Sequence, residues 1–229
     1  MSAVELADAG VLVTGAGGGL GRPLVEGLLA AGARVVVSGR TAPRIEGTHA
    51  VAADLRLPGE PERLVEEAVA HLGRLDGLVH AAGVVAFGPA VEADDDLLDE
   101  LFLADVIGPV RLLRAAVPHL RQGRDAFAAV VTAVVAEKPQ AGMAPYSAAK
   151  AALSAFVTAL AREERATVRV IDVRPPHTET GLAGRPVAGS APRLPQGLDP
   201  RAVADRVLRA ITEGERELSS GAFASSQQS

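Results

Sequence analysis

The chain has 229 residues, of which 48% are hydrophobic and 22% charged, a balance that can offset chain entropy by burial and so excludes a disordered polypeptide. It contains no Cys, which excludes disulfides, thiol nucleophiles and thiolate zinc sites, and its net charge of −5 argues against nucleic acid or an anionic membrane as partner. Phenol or ammonium chemistry can come from only three side chains, since the sequence holds one Tyr and two Lys.

Strand-like runs alternate with helical periodicity along the whole chain. Strands are predicted at Val11 to Thr14, Ala33 to Ser38, His49 to Ala53, Gly77 to Ala81, Phe127 to Val135 and Thr167 to Val173. Helices are predicted at Arg22 to Ala31, Glu60 to Leu72, Asp94 to Leu120, Pro145 to Glu164 and Pro200 to Thr212, the last capped by Asp199. Right-handed crossovers between parallel strands then give an α/β doubly wound parallel sheet, a Rossmann fold in three α/β/α layers formed by residues 1–229 as one domain. The stretch Gly39 to Thr48 leaves room for little more than a turn, so the second crossover is expected to be abbreviated. Residues 175–200 are rich in Pro and Gly and are expected to form a long substrate loop, and residues 219–229 a flexible tail. The longest apolar run, Ala126 to Ala136, is too short to span a bilayer, and no charged-then-apolar leader precedes the first strand, so the expected location is cytoplasmic.

The turn Thr14, Gly15, Ala16, Gly17, Gly18, Gly19, Leu20, Gly21 joins the first strand to the first helix. Glycines there allow a tight turn and let the backbone approach a pyrophosphate at the helix N-terminus. Arg22 and Pro23 follow in place of the Lys-Ser/Thr pair of a nucleoside-triphosphate loop. At the end of the second strand, Ser38, Gly39 and Arg40 offer a guanidinium and no carboxylate, which favours NADP over NAD because an Arg accommodates a 2′-phosphate.

The single Tyr, Tyr146, lies four residues before Lys150, so both share one helix face. A neighbouring ammonium is expected to lower the phenol pKa and make Tyr146 a usable acid/base. No His or carboxylate spacing suggests a metal site.

With the glycine turn, this pair resembles the short-chain dehydrogenase/reductase family, over about Val11 to Thr180. The resemblance implies an NAD(P)-dependent oxidoreductase in which Tyr146 is the catalytic acid/base and Lys150 holds the nicotinamide ribose and tunes Tyr146. It implies cofactor contacts from the glycine turn, from Asp54 and Leu55 after the third strand, and from Ala81, Ala82 and Gly83 after the fourth. Further contacts are implied for Pro175, Thr178 and Thr180. It also marks departures. His80 and Ala81 stand where the family motif has two Asn, Ala133 where it has the substrate-orienting Ser, and Asp105 where it has the Asn that supports a relay water. Asp105 remains a candidate catalytic residue, able to accept hydrogen bonds but not to donate them when ionised. Thr132 should not replace the lost hydroxyl, because neighbours in a strand face opposite ways.

Substrate contacts are expected from Ala133 and Met143, with Val84, Val85 and Phe87 making the pocket apolar. His177, at the start of the long loop, is a candidate donor to a substrate oxygen. The reading is an NADP-dependent oxidoreductase moving hydride between nicotinamide and a carbonyl or alcohol of an apolar small molecule. Ala133 and Asp105 motivate the alternatives: a non-redox enzyme of the same fold, such as an isomerase, dehydratase or cyclase, or a binding protein with a decayed site. The resemblance further implies a homodimer or homotetramer, with Ala148, Ala149, Ala151 and Ala152 permitting close approach of helices.

Overall fold

A computed structural model describes residues 4–227. Seven parallel strands form one sheet in the order β3-β2-β1-β4-β5-β6-β7. They are β1 (Gly10–Thr14), β2 (Arg34–Gly39), β3 (Thr48–Ala52), β4 (Gly77–His80), β5 (Phe127–Val131), β6 (Arg169–Val173) and β7 (Glu217–Leu218). The inner strands are Val-rich and buried on both faces, as a parallel sheet covered by helices requires.

The helices are α1 (Gly21–Ala30), α2 (Glu60–Leu72), α3 (Asp95–Phe102), α4 (Gly108–Leu120), α5 (Ala144–Glu163) and α6 (Pro200–Glu213). Alternating strand residues feed two cores. Val11, Val13, Val35 and Val37 pack with α1 and α6, through Leu24, Leu28, Val203 and Val207. Leu12, Val36, Leu78 and Val130 pack with α2, α4 and α5, through Leu64, Leu112, Leu153 and Val157. The result is the three-layer doubly wound architecture expected from the sequence. Strand order reverses between β1 and β4, which opens a crevice beyond their carboxyl ends. Among the described residues, no helix is long and apolar enough to cross a membrane.

Three local expectations need correction. The helix expected over Asp94 to Leu120 is divided by a π-helical turn, Leu103–Ile107, in which the Gly108 N–H reaches back to the Leu103 carbonyl. Gly108 permits this because a side chain there would press on the Leu55 carbonyl at 2.8 Å. The fifth strand ends at Val131 rather than Val135. There the Thr132 hydroxyl donates to Asp172 at 2.6 Å, and Val134 to Ala136 curl into a 3-10 turn whose first N–H bonds Pro175. The polar segment expected to be a flexible tail supplies β7's sequel, a 3-10 helix over Ser220–Gln227. Phe223, 1% exposed, enters the α1/α6 core, and Glu137 accepts from both the Ser220 N–H and its hydroxyl. Positions 228 and 229 lie outside the described residues. β7 itself had no sequence signal, because a two-residue strand carries too little periodicity to read. Asp199 caps α6 as expected, accepting from the Arg201 and Ala202 N–H groups.

Candidate active site

The carboxyl ends of β1, β4 and β5 bring the sequence candidates together. Thr14 closes β1, and its hydroxyl lies 2.8 Å from His80 Nδ1 at the end of β4. Gly15 then takes φ +73, and a side chain on it would come within 2.6 Å of the Ala81 carbonyl. Glycine is therefore required where the turn passes the Ala81-Ala82 backbone. Gly17 and Gly18 form the open outer part of the turn, whereas Gly21 is packed into its start beside Gly15. Leu20 precedes α1 without offering a side-chain cap, and the first turn of α1 holds no acidic residue. The helix start thus keeps its positive dipole for an anion, while Pro23 carries no N–H and the Arg22 N–H is taken by the Gly18 carbonyl.

At the carboxyl end of β2, Ser38 is buried and Arg40 is exposed just beyond it. Asp54 and Leu55 follow β3. Both carboxylate oxygens of Asp54 are engaged by Arg56, which in turn bonds Glu100 at 2.6 Å. Arg56, with a smaller contribution from Arg40, holds the Asp54 carboxyl below the usual range. The Asp54–Arg56–Glu100 bridge escaped sequence reading, since Arg56 and Glu100 are 44 residues apart.

Tyr146 and Lys150 project from the first turns of α5, one helical turn apart. Tyr146 is only 6% exposed and packs with Val85, Phe87, Leu101 and Val135, with Ala133 and Met143 alongside. Lys150 Nζ sits 5.7 Å from the phenol ring centroid and 3.4 Å from Asp105 Oδ1. Asp105 Oδ1 also accepts from the Val84 N–H at 3.0 Å. Gly83 makes this meeting possible, because a side chain there would lie 2.7 Å from Asp105 Oδ1 and 3.0 Å from Lys150 Nζ.

The electrostatics reverse one expectation. Tyr146 is not lowered by its lysine. Burial, followed by the Asp105 charge, pushes the phenol above its ordinary value. Burial likewise lifts the Asp105 carboxyl, against the pull of Lys150 and the Val84 N–H. His80 is pushed down to about 3 by burial and by Lys150, so its ring stays neutral.

The long loop closes over this cluster. Thr180 backbone packs on Gly19, where a side chain would meet Thr180 Cα at 2.6 Å. Farther on, the Val187 N–H bonds Val85 and the Phe87 N–H bonds Ala188, a short parallel bridge that brings Leu182, Ala183 and Ala188 against the Tyr146 cluster. Those covering residues were not among the sequence candidates, because the contact joins segments about 100 residues apart. His177 is not delivered to Tyr146 as anticipated. It pairs with Glu179 at 3.5 Å and packs on Gly197, because the loop folds back through the Thr178–Leu198 bridge. The Thr178 hydroxyl donates to Pro176, Thr180 Oγ1 accepts from the Leu182 N–H, and the Pro175 carbonyl is held by Val134. Thr132 faces Asp172, as expected, and cannot replace a hydroxyl at Ala133.

A glycine-rich turn at a helix start free of acidic side chains, beside the small Ala81-Ala82-Gly83 segment, fits a dinucleotide. The short chain dehydrogenase family model matches residues 9–189. The chain belongs to this family. Short-chain dehydrogenases bind NAD(P), and its relatives are named dehydrogenases and reductases, so it is an oxidoreductase. Cis-2,3-dihydrobiphenyl-2,3-diol dehydrogenase of Pseudomonas sp. strain KKS102 is 32% identical over 201 residues, covering 82% of this chain and 72% of that one. A short chain dehydrogenase from Burkholderia cenocepacia, solved in complex with NADP, is 26% identical with a TM-score of 0.82, over 98% of this chain and 92% of that one. A 3-ketoacyl-(acyl-carrier-protein) reductase from Brucella melitensis, solved with NADH, shares the fold at 24% identity and a TM-score of 0.84, covering 95% of this chain and 99% of that one. The non-redox alternative draws no support from these likenesses.

Proposed function

We propose that this short-chain dehydrogenase is NADP-dependent and moves hydride between nicotinamide and a carbonyl or alcohol of an apolar small molecule, with Tyr146 as acid/base. The observation that carries the reading is the placement of Tyr146 and Lys150 on one face of α5, within an apolar cluster at the carboxyl end of the sheet. When bound, the dinucleotide supplies or takes up the hydride at the substrate carbon. In the reductive direction the Tyr146 Oη–H bond breaks and its proton passes to the carbonyl oxygen, leaving a phenolate that recovers a proton from solvent. Lys150 binds the nicotinamide ribose and tunes the phenol, and Asp105, the catalytic candidate of the sequence, pairs with Lys150 and acts through it. Val85, Phe87, Val135 and Met143 exclude water and favour an apolar substrate face.

Thr14, the glycine turn from Gly15 to Gly21 and the backbone of Ala81, Ala82 and Gly83 hold the dinucleotide. Ser38 and Arg40 receive the 2′-phosphate, which is why NADP is preferred to NAD. Leu55 serves the adenine side together with Asp54, whose carboxylate stays partnered by Arg56. Pro175, Thr178 and Thr180 line the nicotinamide end, and Ala133, Met143 and His177 the substrate side, His177 after the loop opens. The reading treats the chain as one dinucleotide-binding unit with residues 175–200 as its substrate loop, assembled as a cytoplasmic homodimer or homotetramer. The exposed Ala148 and half-buried Ala151 and Ala152 on α5 suit such helix pairing.

The test is NADPH oxidation against a panel of apolar ketones and aldehydes. The Tyr146→Phe variant is expected to lose about 100-fold or more in kcat while keeping nucleotide affinity, the scale of a lost general acid. A variant that turns over as the parent does would remove Tyr146 from the mechanism.

A further inference from the structure

The Tyr146–Lys150 pair has a third member whose charge opposes the lysine. Asp105 and Lys150 side chains are 0% and 4% exposed, and their charged atoms are 3.4 Å apart. In so dry a setting a cation and an anion at that distance present to a neighbour a dipole rather than a net charge. Lys150 Nζ lies 5.7 Å from the centroid of the phenol ring, so all three groups share one buried cluster. The backbone is built to permit the pairing, since Gly83 occupies a place where a side chain would wedge against both Asp105 Oδ1 and Lys150 Nζ. The π-helical turn carries Asp105 there, and the Val84 N–H fixes the same oxygen at 3.0 Å. Asp105 Oδ2 is buried and has no hydrogen-bond partner among the described residues.

We infer that Asp105 is a positioning residue that claims Lys150, so that the lysine charge is offset and Tyr146 is kept as a phenol, a proton donor suited to reducing carbonyls. This deepens the proposed function, because it assigns a preferred protonation state to the acid/base that function requires. The charged and titratable groups around the carboxylate are few. α5 contributes Tyr146 and Lys150, the end of β4 contributes His80, and α3 contributes the charge of Glu100. His80 is neutral, and Glu100 is bonded to Arg56, which leaves Lys150 as the cation that Asp105 neutralises. The phenol is raised by burial and by Asp105, in keeping with this arrangement. Alcohol oxidation, which needs the phenolate as base, should then become efficient only at strongly alkaline pH.

The chain offers a direct readout, because it has one Tyr and no Trp, and the ultraviolet absorbance of tyrosinate therefore reports Tyr146 alone. In the ligand-free wild type, we expect no tyrosinate until the protein unfolds in alkali, the two events coinciding in absorbance and circular dichroism. In Asp105→Asn, which keeps an acceptor for the Val84 N–H but removes the charge, the midpoint should fall by about one pH unit or more. Adding Lys150→Met to that variant should return it upward, a result a purely structural role for Asp105 would not give. Ionisation of the folded wild type near or below the ordinary phenol value of about 10 overturns the inference. A folded Asp105→Asn protein whose phenol titrates as in the wild type overturns it equally. If Asp105→Asn does not fold, Asp105→Ser and the wild-type titration decide. None of these measurements uses substrate or nucleotide, so failure of the redox assay would count against the proposed function and leave this result standing.

Discussion

Ala133 places a methyl group beside Tyr146 at the position where the family resemblance implies a hydroxyl. Its backbone is extended, at φ −175 and ψ 162, a conformation that Ser also adopts. Thr132 points to Asp172 and His177 to Glu179, so no neighbouring donor compensates for the methyl in this arrangement. Under the proposed function, Tyr146 is then the donor left to polarise the carbonyl while the loop is closed. Ala133→Ser is expected to raise kcat by about 10-fold or more on the same ketone, in line with the cost of removing one oxyanion donor elsewhere. Steady-state kinetics showing no gain would mean that substrate oxygen does not bind near residue 133. At this scale the sequence was informative about identity and less so about state. The Tyr146/Lys150 spacing and the substitutions at 105 and 133 could be read directly. The sign of the phenol shift could not, because it depends on the burial of Tyr146 and on Asp105, which approaches from 41 residues away.

Among the elements, the loop after β6 is the one that lies over the Tyr146 cluster. Its composition identified it as irregular, but its partners were invisible, because the Val187–Val85 and Phe87–Ala188 bonds have no local sequence pattern. Gly189 is the point on which that closure turns. It adopts φ +70 and lies against the Phe87 backbone so closely that a side chain would collide with it. Gly189→Ala should therefore detach the strap at a local cost of about 1–3 kcal/mol. Limited proteolysis within residues 182–196 is expected to accelerate several-fold, with the thermal midpoint changed little because this loop lies outside the two main cores. Unchanged cleavage would show that the strap is not what holds the loop down. The π-helical turn is the other element that periodicity missed. Its neighbours are helical on both sides, so a continuous helix from Asp94 was the simplest reading, and only the packing of Gly108 on Leu55 distinguishes the two.

For the molecule as a whole, alternation of β-branched runs with helical periods was enough to give a doubly wound sheet, because the inner runs are buried on both faces and helices cover each side. The carboxyl terminus was misread for a physical reason. Its polar composition hid an apolar anchor, Phe223, and a partner, Glu137, that lies 83 residues earlier than Ser220. The order of strands puts the glycine turn, the Tyr146 helix and the loop around one crevice, the convergence that an oxidoreductase of this family needs, while the proposed preference for NADP rests on Arg40 and Ser38. Nicotinamide fluorescence measures its central claim most directly, and without Trp the protein contributes little background. Titration of the full chain should show NADPH binding at about micromolar concentration or tighter, with NADH at least about 10-fold weaker, a difference of roughly 1.4 kcal/mol supplied by Arg40 and Ser38. Equal binding of the two would contradict the assignment to NADP, and binding of neither would contradict the account at its centre.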